Sequence, residues 1–126
     1  MADDCCNSFG GLITLEIDGV ALSPTAADIM IDPTNIEVTD EANQDGSAAF
    51  MSKPKLFGAE ITLRNPCGMK WNATMRKCKV NATIVEVEQN RSHLFTAARL
   101  VGKPQINLSS GEVTGLRIAG AQYQVV

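Results

Sequence analysis

Leu12-Ile13-Thr14-Leu15-Glu16-Ile17-Asp18-Gly19 decides the fold. Ile13, Leu15 and Ile17 alternate with Thr14 and Glu16, which is the period of a half-buried β-strand, and Asp18-Gly19 is the dipeptide of a tight hairpin turn. The same period recurs along the chain. Asp28-Ile29-Met30-Ile31 stops at Asp32-Pro33, and Asn35 to Thr39 alternates again. Lys55 to Arg64 places Phe57, Ala59, Ile61 and Leu63 on one side and stops at Asn65-Pro66. Lys79 to Glu88 and Ser92 to Val101 read as a long hairpin joined at Gln89-Asn90-Arg91. Gln105 to Leu108 pairs through Ser109-Ser110-Gly111 with Val113 to Ala119. One segment departs from this pattern: Met69 to Lys77 holds Trp71 and Met75 at i, i+4 spacing, which predicts a single short helix. Many short strands, turns and one helix predict a mainly β fold, an antiparallel sandwich or barrel with a short flanking helix.

At 126 residues the chain fits one domain, and a chain of this size buries roughly two-thirds of the surface that its unfolded form exposes. Residues 1–10 read as an N-terminal arm and 11–126 as a single β domain. The polar stretch 40–49 contains Asp45-Gly46 and too few apolar groups to pack alone, so it is expected to be an exposed loop. Met1 to Asn7 is acidic and polar, unlike a signal peptide, and no apolar run approaches the ~20 residues that span a bilayer. The expectation is a protein made in a cytoplasm, with no membrane partner.

Charge is distributed unevenly. The first 52 residues hold ten acids and no Lys or Arg, a formal −10, whereas the remainder holds eleven cations and four acids, a formal +7. Two readings follow: the halves neutralise each other within one monomer, or copies pack head to tail, acidic part against basic part. The overall acidity, without aromatic residues among the basic ones, argues against a nucleic-acid reader.

Little in the sequence carries reaction chemistry. The single His93 sits in a strand beside Leu94 and Phe95 with no nucleophile motif to serve, so it reads as structural and the chain as no enzyme. Phe9-Gly10-Gly11 precedes a strand instead of opening a helix, which excludes a phosphate loop, and no cofactor is implied. Asn72, Asn81 and Asn107 head glycosylation tripeptides that read as chance matches without a secretory signal. Cys5, Cys6, Cys67 and Cys78 lack the close pairing of a zinc site. They are either four free thiols or the source of disulfides between subunits, because adjacent cysteines bridge each other only under strain.

In order and spacing, these features resemble the tail tube proteins of contractile-tailed bacteriophages of the Mu-like type. The likeness runs through Gly11 with the Leu12 to Ile17 strand and Asp18-Gly19, the Pro33 and Glu37 strand, and Asp45-Gly46 before Lys53-Pro54. It continues through Ala98-Arg99-Leu100-Val101-Gly102-Lys103-Pro104, Asn107, Gly111-Glu112 and a closing strand to Gly120. The helical segment is shorter and more polar than that family shows, and the cysteines lie outside its general pattern. They suggest an added covalent tie in a particle that leaves a reducing cytoplasm.

The resemblance implies a structural virion protein, assembled in the host bacterial cytoplasm, whose hexameric rings stack into a hollow β-tube. Its partners would be itself, the tail sheath, the baseplate and the tail terminator, with DNA passing through during genome ejection without specific binding. The inter-ring contact maps onto Asp40, Glu41, Asn43, Asp45 and Gly46. Acids on outward-alternating faces, Glu16, Glu37, Glu60, Glu86 and Glu88, are the candidates for the channel wall. The alternatives are a monomeric β-sandwich binding module, or the tube or terminator of a non-contractile tail or secretion system.

Overall fold

A computed structural model describes residues 9–24 and 29–126. Among these, the chain forms β1 (Ile13–Ile17), β2 (Val20–Leu22), β3 (Met30–Asp32), β4 (Ile36–Ala42), β5 (Ala48–Pro54), β6 (Phe57–Arg64), α1 (Trp71–Met75), β7 (Val80–Glu86), β8 (Arg91–Asn107), β9 (Glu112–Gly120) and β10 (Gln122–Val125). All pairings between these strands are antiparallel. The mainly β expectation with one short helix is therefore met.

The opening stretch folds as it reads. Asp18 and Gly19 take φ of 53° and 80°, the left-handed pair of a two-residue hairpin turn, and Ile17 pairs with Val20 across it. Asp18 also fixes this turn to β7: its carboxylate accepts from the Asn81 N–H at 2.9 Å, and its own N–H donates to the Asn81 carbonyl at 2.8 Å. Leu15, Ile17 and Leu22 are buried.

One sheet runs β2-β1-β7-β8-β10, using the N-terminal half of β8, and a second runs β8-β9-β6-β3, using its C-terminal half. Between them lies one apolar core, in which Leu15, Leu63, Ile84, Phe95, Val113 and Ile118 are almost wholly shielded from solvent. Strand β6 shows the alternation expected of it, with Ala59, Ile61 and Leu63 buried and Glu60 and Arg64 exposed. A change such as Phe95→Ala would leave a cavity and cost about 3–5 kcal/mol.

Four expectations change. The two strands expected at Ser92 to Val101 and Gln105 to Leu108 are one strand, β8, with a register shift between Gly102 and Gln105. Gly102 and Gly115 take φ of +98° and +81°, and a Cβ on Gly102 would collide with the Gly115 carbonyl oxygen. Glycine at both sites lets the backbones approach, and the bulge accommodates Pro104, which has no N–H to give the ladder.

The closing strand continues past Gly120 as β10, along β8 in the register already set by Arg99↔Ala119. The helix is confined to Trp71–Met75 within the expected 69–77 segment, and no side chain caps its N-terminus. Trp71 and Met75 do pack against the core, as their spacing predicts.

The expected loop at 40–49 is half strand, though largely exposed as expected: Asp40 to Ala42 end β4, Ala48 and Ala49 begin β5, and 43–47 turn. Cross-strand hydrogen bonding satisfies this backbone without burial, which is why the local scarcity of apolar side chains gave no warning.

Candidate assembly surface

The β4–β5 hairpin is a two-stranded sheet of its own. Every residue of β4 is exposed, and so is every residue of β5 except Ala49, which is half-buried. Seven cross-strand pairs, from Ile36↔Pro54 to Ala42↔Ala48, fix its register. Alternation then gives the ribbon two different faces. One carries Ile36, Val38, Asp40 and Ala42 with Ala48, Phe50, Ser52 and Pro54; the other carries Glu37, Thr39 and Glu41 with Ala49, Met51 and Lys53. Phe50 is 71% exposed and Val38 56%. An isolated two-stranded ribbon is marginal in water, so an apolar face on one calls for a partner surface.

The tip is closely tied. The Asn43 N–H donates to the Ser47 carbonyl at 2.8 Å and the Gly46 N–H to the Asn43 carbonyl at 2.9 Å. The Asp45 carboxylate accepts from the Ser47 hydroxyl at 2.6 Å and from its N–H at 3.0 Å. These bonds, the side-chain one foremost, hold the Asp45 carboxyl below its ordinary value of 3.8. Gly46 takes φ of +85°, a conformation that costs a side-chain-bearing residue. The five residues assigned to the inter-ring contact, Asp40, Glu41, Asn43, Asp45 and Gly46, are thus together at the distal end of one exposed ribbon.

The acids assigned to a channel wall do not share a surface. Glu16 is exposed on the outer face of the first sheet, Glu60 on that of the second, Glu37 on the hairpin, and Glu88 in the β7–β8 connection. Glu86 departs from the outward face assigned to it. It pairs with Ile13 and shares the inward side of β7 with Ala82 and Ile84. Its position is explained by partners: Arg91 Nε donates to Glu86 Oε2 at 2.7 Å, and His93 Nε2 lies 3.3 Å from the same oxygen.

His93 Nδ1 is 2.7 Å from the Tyr123 hydroxyl. Since a carboxylate only accepts, the tautomer that suits both contacts donates through Nε2 to Glu86 and accepts the tyrosine proton at Nδ1. Burial, followed by the Glu86 charge, raises the Tyr123 hydroxyl above its ordinary value of 10.0 and keeps it a donor. Tyr123 also packs against Phe57 and Phe95, with ring centroids 5.5 and 5.0 Å away. The cluster fastens β10 to the first sheet, and it offers no nucleophile. Sequence reading passed over it, although Tyr123 and Val125 alternate with Gln122 and Gln124.

Cys67 and Cys78 are exposed free thiols, while Cys5 and Cys6, with most of the expected arm at 1–10, lie outside the described residues. Among the described residues no His, Cys, Asp and Glu group suits a metal ion, and no helix is long and apolar enough to cross a membrane.

No protein-family model matches the chain, and no curated protein sequence matches it. Solved structures do resemble it. One is the sheath/tube terminator of an extracellular contractile injection system, PVC, in the extended state: TM-score 0.55, 8% identity, covering 90% of this chain and 92% of that one. Another is a chain of the PVC sheath-tube complex in the extended state: TM-score 0.51, 10% identity, covering 90% of this chain and 87% of that one. At such identities the likeness is one of fold.

Proposed function

We propose that the chain is a structural, non-enzymatic subunit of a contractile tail, forming stacked rings of a tail tube through which DNA passes. The observation that carries this reading is the β4–β5 hairpin, a fully paired ribbon that exposes an apolar face and an acidic tip. A contact that joins one patch to a different patch on the next copy propagates as a filament unless it closes into a ring. The −10 and +7 charges of the two parts of the chain favour that head-to-tail order. The shared fold with a PVC terminator and a PVC sheath-tube chain supports a place beside a sheath.

In this reading the rings are hexameric, and the second sheet forms the channel wall. Its two outer strands are β3 and the C-terminal part of β8, each with a free edge among the described residues, open to a neighbouring copy. Edge-to-edge joining closes such sheets into a barrel and removes exposed edges. Glu60 then faces the channel, beside an Arg117 that bonds to Asp32, while Glu16 lies on the opposite side of the sandwich. The net acidity of the protein disfavours the phosphate contacts that would hold DNA. The sheath, baseplate and terminator would be the other partners, and the virion tail the place of action.

A second reading is a terminator, favoured by the likeness to the PVC terminator over nearly the full length of both chains. Electron microscopy of the purified protein tests both. Long hollow filaments are the expected result; single closed rings would transfer the assignment to the terminator, and dispersed monomers would reject both.

A further inference from the structure

We infer that the apolar groove bordered by α1 is the receptor for the β4–β5 hairpin of a second copy of this chain. The inference rests on the stacking reading above and names the surface that receives the hairpin. The groove is a cavity of about 410 Å³ whose walls include Val20, Leu22, Met69, Trp71, Leu100 and Leu116. Lys70 and Lys77 stand at it, and Lys77 is only loosely matched by Asp18 at 3.7 Å. The segment 66–79 contains four Lys and Arg and no acid, whereas the hairpin segment 36–54 contains four acids and one cation. The occupant suited to this groove is therefore apolar in the middle and acidic at its margin.

The hairpin has that composition in the required order. Phe50 is an exposed aromatic knob of the sort that anchors interfaces by filling a pocket, and Asp40 is its direct cross-strand neighbour. With Phe50 in the groove, Asp40, on the same face, comes to its lysine side, and Glu41 follows it on the ribbon's other face. The hairpin does not serve its own groove, because nearly all of its residues are exposed.

Topology places donor and receptor at opposite ends of one strand. β6 begins at Phe57, just after the hairpin, and reaches the groove at Leu63, an interval of six residues or about 20 Å. A protrusion at one end and a socket at the other is a heterologous, open-ended pair.

The test uses the whole chain. Ala73 lines the groove and is exposed, so Ala73→Trp obstructs the socket without entering the core. We expect unchanged circular dichroism and at least a tenfold rise in the concentration needed for filaments. Lys70→Glu with Lys77→Glu should do the same, and adding Asp40→Lys with Glu41→Lys to that chain should restore assembly.

Cys67 also lines the groove. Ser52→Cys, two residues from Phe50 on the same exposed face, in a background with Cys5, Cys6 and Cys78 changed to Ser, should therefore join to it between copies under a short bismaleimide, giving a ladder on denaturing gels. Wild-type filaments together with unaffected Ala73→Trp filaments, no charge-swap rescue and no crosslinked ladder from the Ser52→Cys chain would overturn the receptor assignment and leave the tube standing. A wild-type chain that forms no filaments would overturn the tube reading and this inference with it.

Discussion

Replacing Phe50 by alanine tests the hairpin most economically. An aromatic side chain buries about 150–250 Å² when fully enclosed, and Phe50 leaves 71% of its surface in water within one subunit. Seating it in a neighbour thus removes roughly 100–180 Å² of apolar surface, which at about 25 cal/mol per Å² is ~2.5–4.5 kcal/mol. Ordering the side chain offsets about 1 kcal/mol, leaving ~1.5–3.5 kcal/mol per contact. Because 1.4 kcal/mol is a factor of ten, Phe50→Ala should raise the critical concentration for filament formation by ~10- to 300-fold. The subunit itself should be little altered, since an exposed substitution changes stability by about 0.5 kcal/mol or less. Sedimentation across a concentration series reads the first quantity and thermal unfolding of the dispersed subunit the second. An unchanged critical concentration, or a large fall in subunit stability with assembly following it, would refute the reasoning.

Asp40→Lys, Glu41→Lys and Asp45→Lys together should leave the subunit folded, because solvated charges contribute little, yet shorten filaments; unaltered filament length and yield would remove the hairpin tip from stacking. Gly102→Ala should cost about 3 kcal/mol, since a methyl group at φ +98° meets the Gly115 carbonyl, and lower the melting temperature by ~10 °C; a melting point within 2 °C or so would contradict the bulge. Tyr123 is the only tyrosine, and its hydroxyl is raised above 10.0 in the folded chain, so the neutral form is favoured by folding. That contribution is complete below pH 10 and declines as pH rises through the raised value. Urea unfolding should therefore show wild type losing stability there relative to Tyr123→Phe, and parallel curves would argue against the buried cluster. Intact particles, alkylated and run without reductant, should show high-mass bands from Cys5, Cys6, Cys67 or Cys78 that collapse on reduction; monomer under both conditions would leave the thiols free.

What the sequence reveals follows from what burial writes into it. Ile13, Leu15 and Ile17, like Ala59, Ile61 and Leu63, alternate because one face of each strand must leave water, and those strands lie close to where the pattern puts them. The distal half of the hairpin is hidden because nothing within the subunit covers it: Asp40 opposite Phe50 satisfies no monomer core, so no period marks the strand. Gly102-Lys103-Pro104 reads as a break but is a bulge, since the close approach of Gly115 depends on a residue thirteen positions away. Glu86 points inward because Arg91 and His93 meet it there, a pairing that charge alone does not announce. The exposed acidic stretch with Asp45-Gly46 is legible in the sequence, whereas the apolar face beside it required the register.

A helical reconstruction of filaments grown from the purified chain tests the central claim most directly. The account predicts stacked rings with a hollow axis, the second sheet closed around it by β3 and β8 edges of neighbouring copies, and each β4–β5 hairpin reaching into the adjacent ring. Filaments whose hairpins are solvent-exposed and whose rings touch through other surfaces would contradict it.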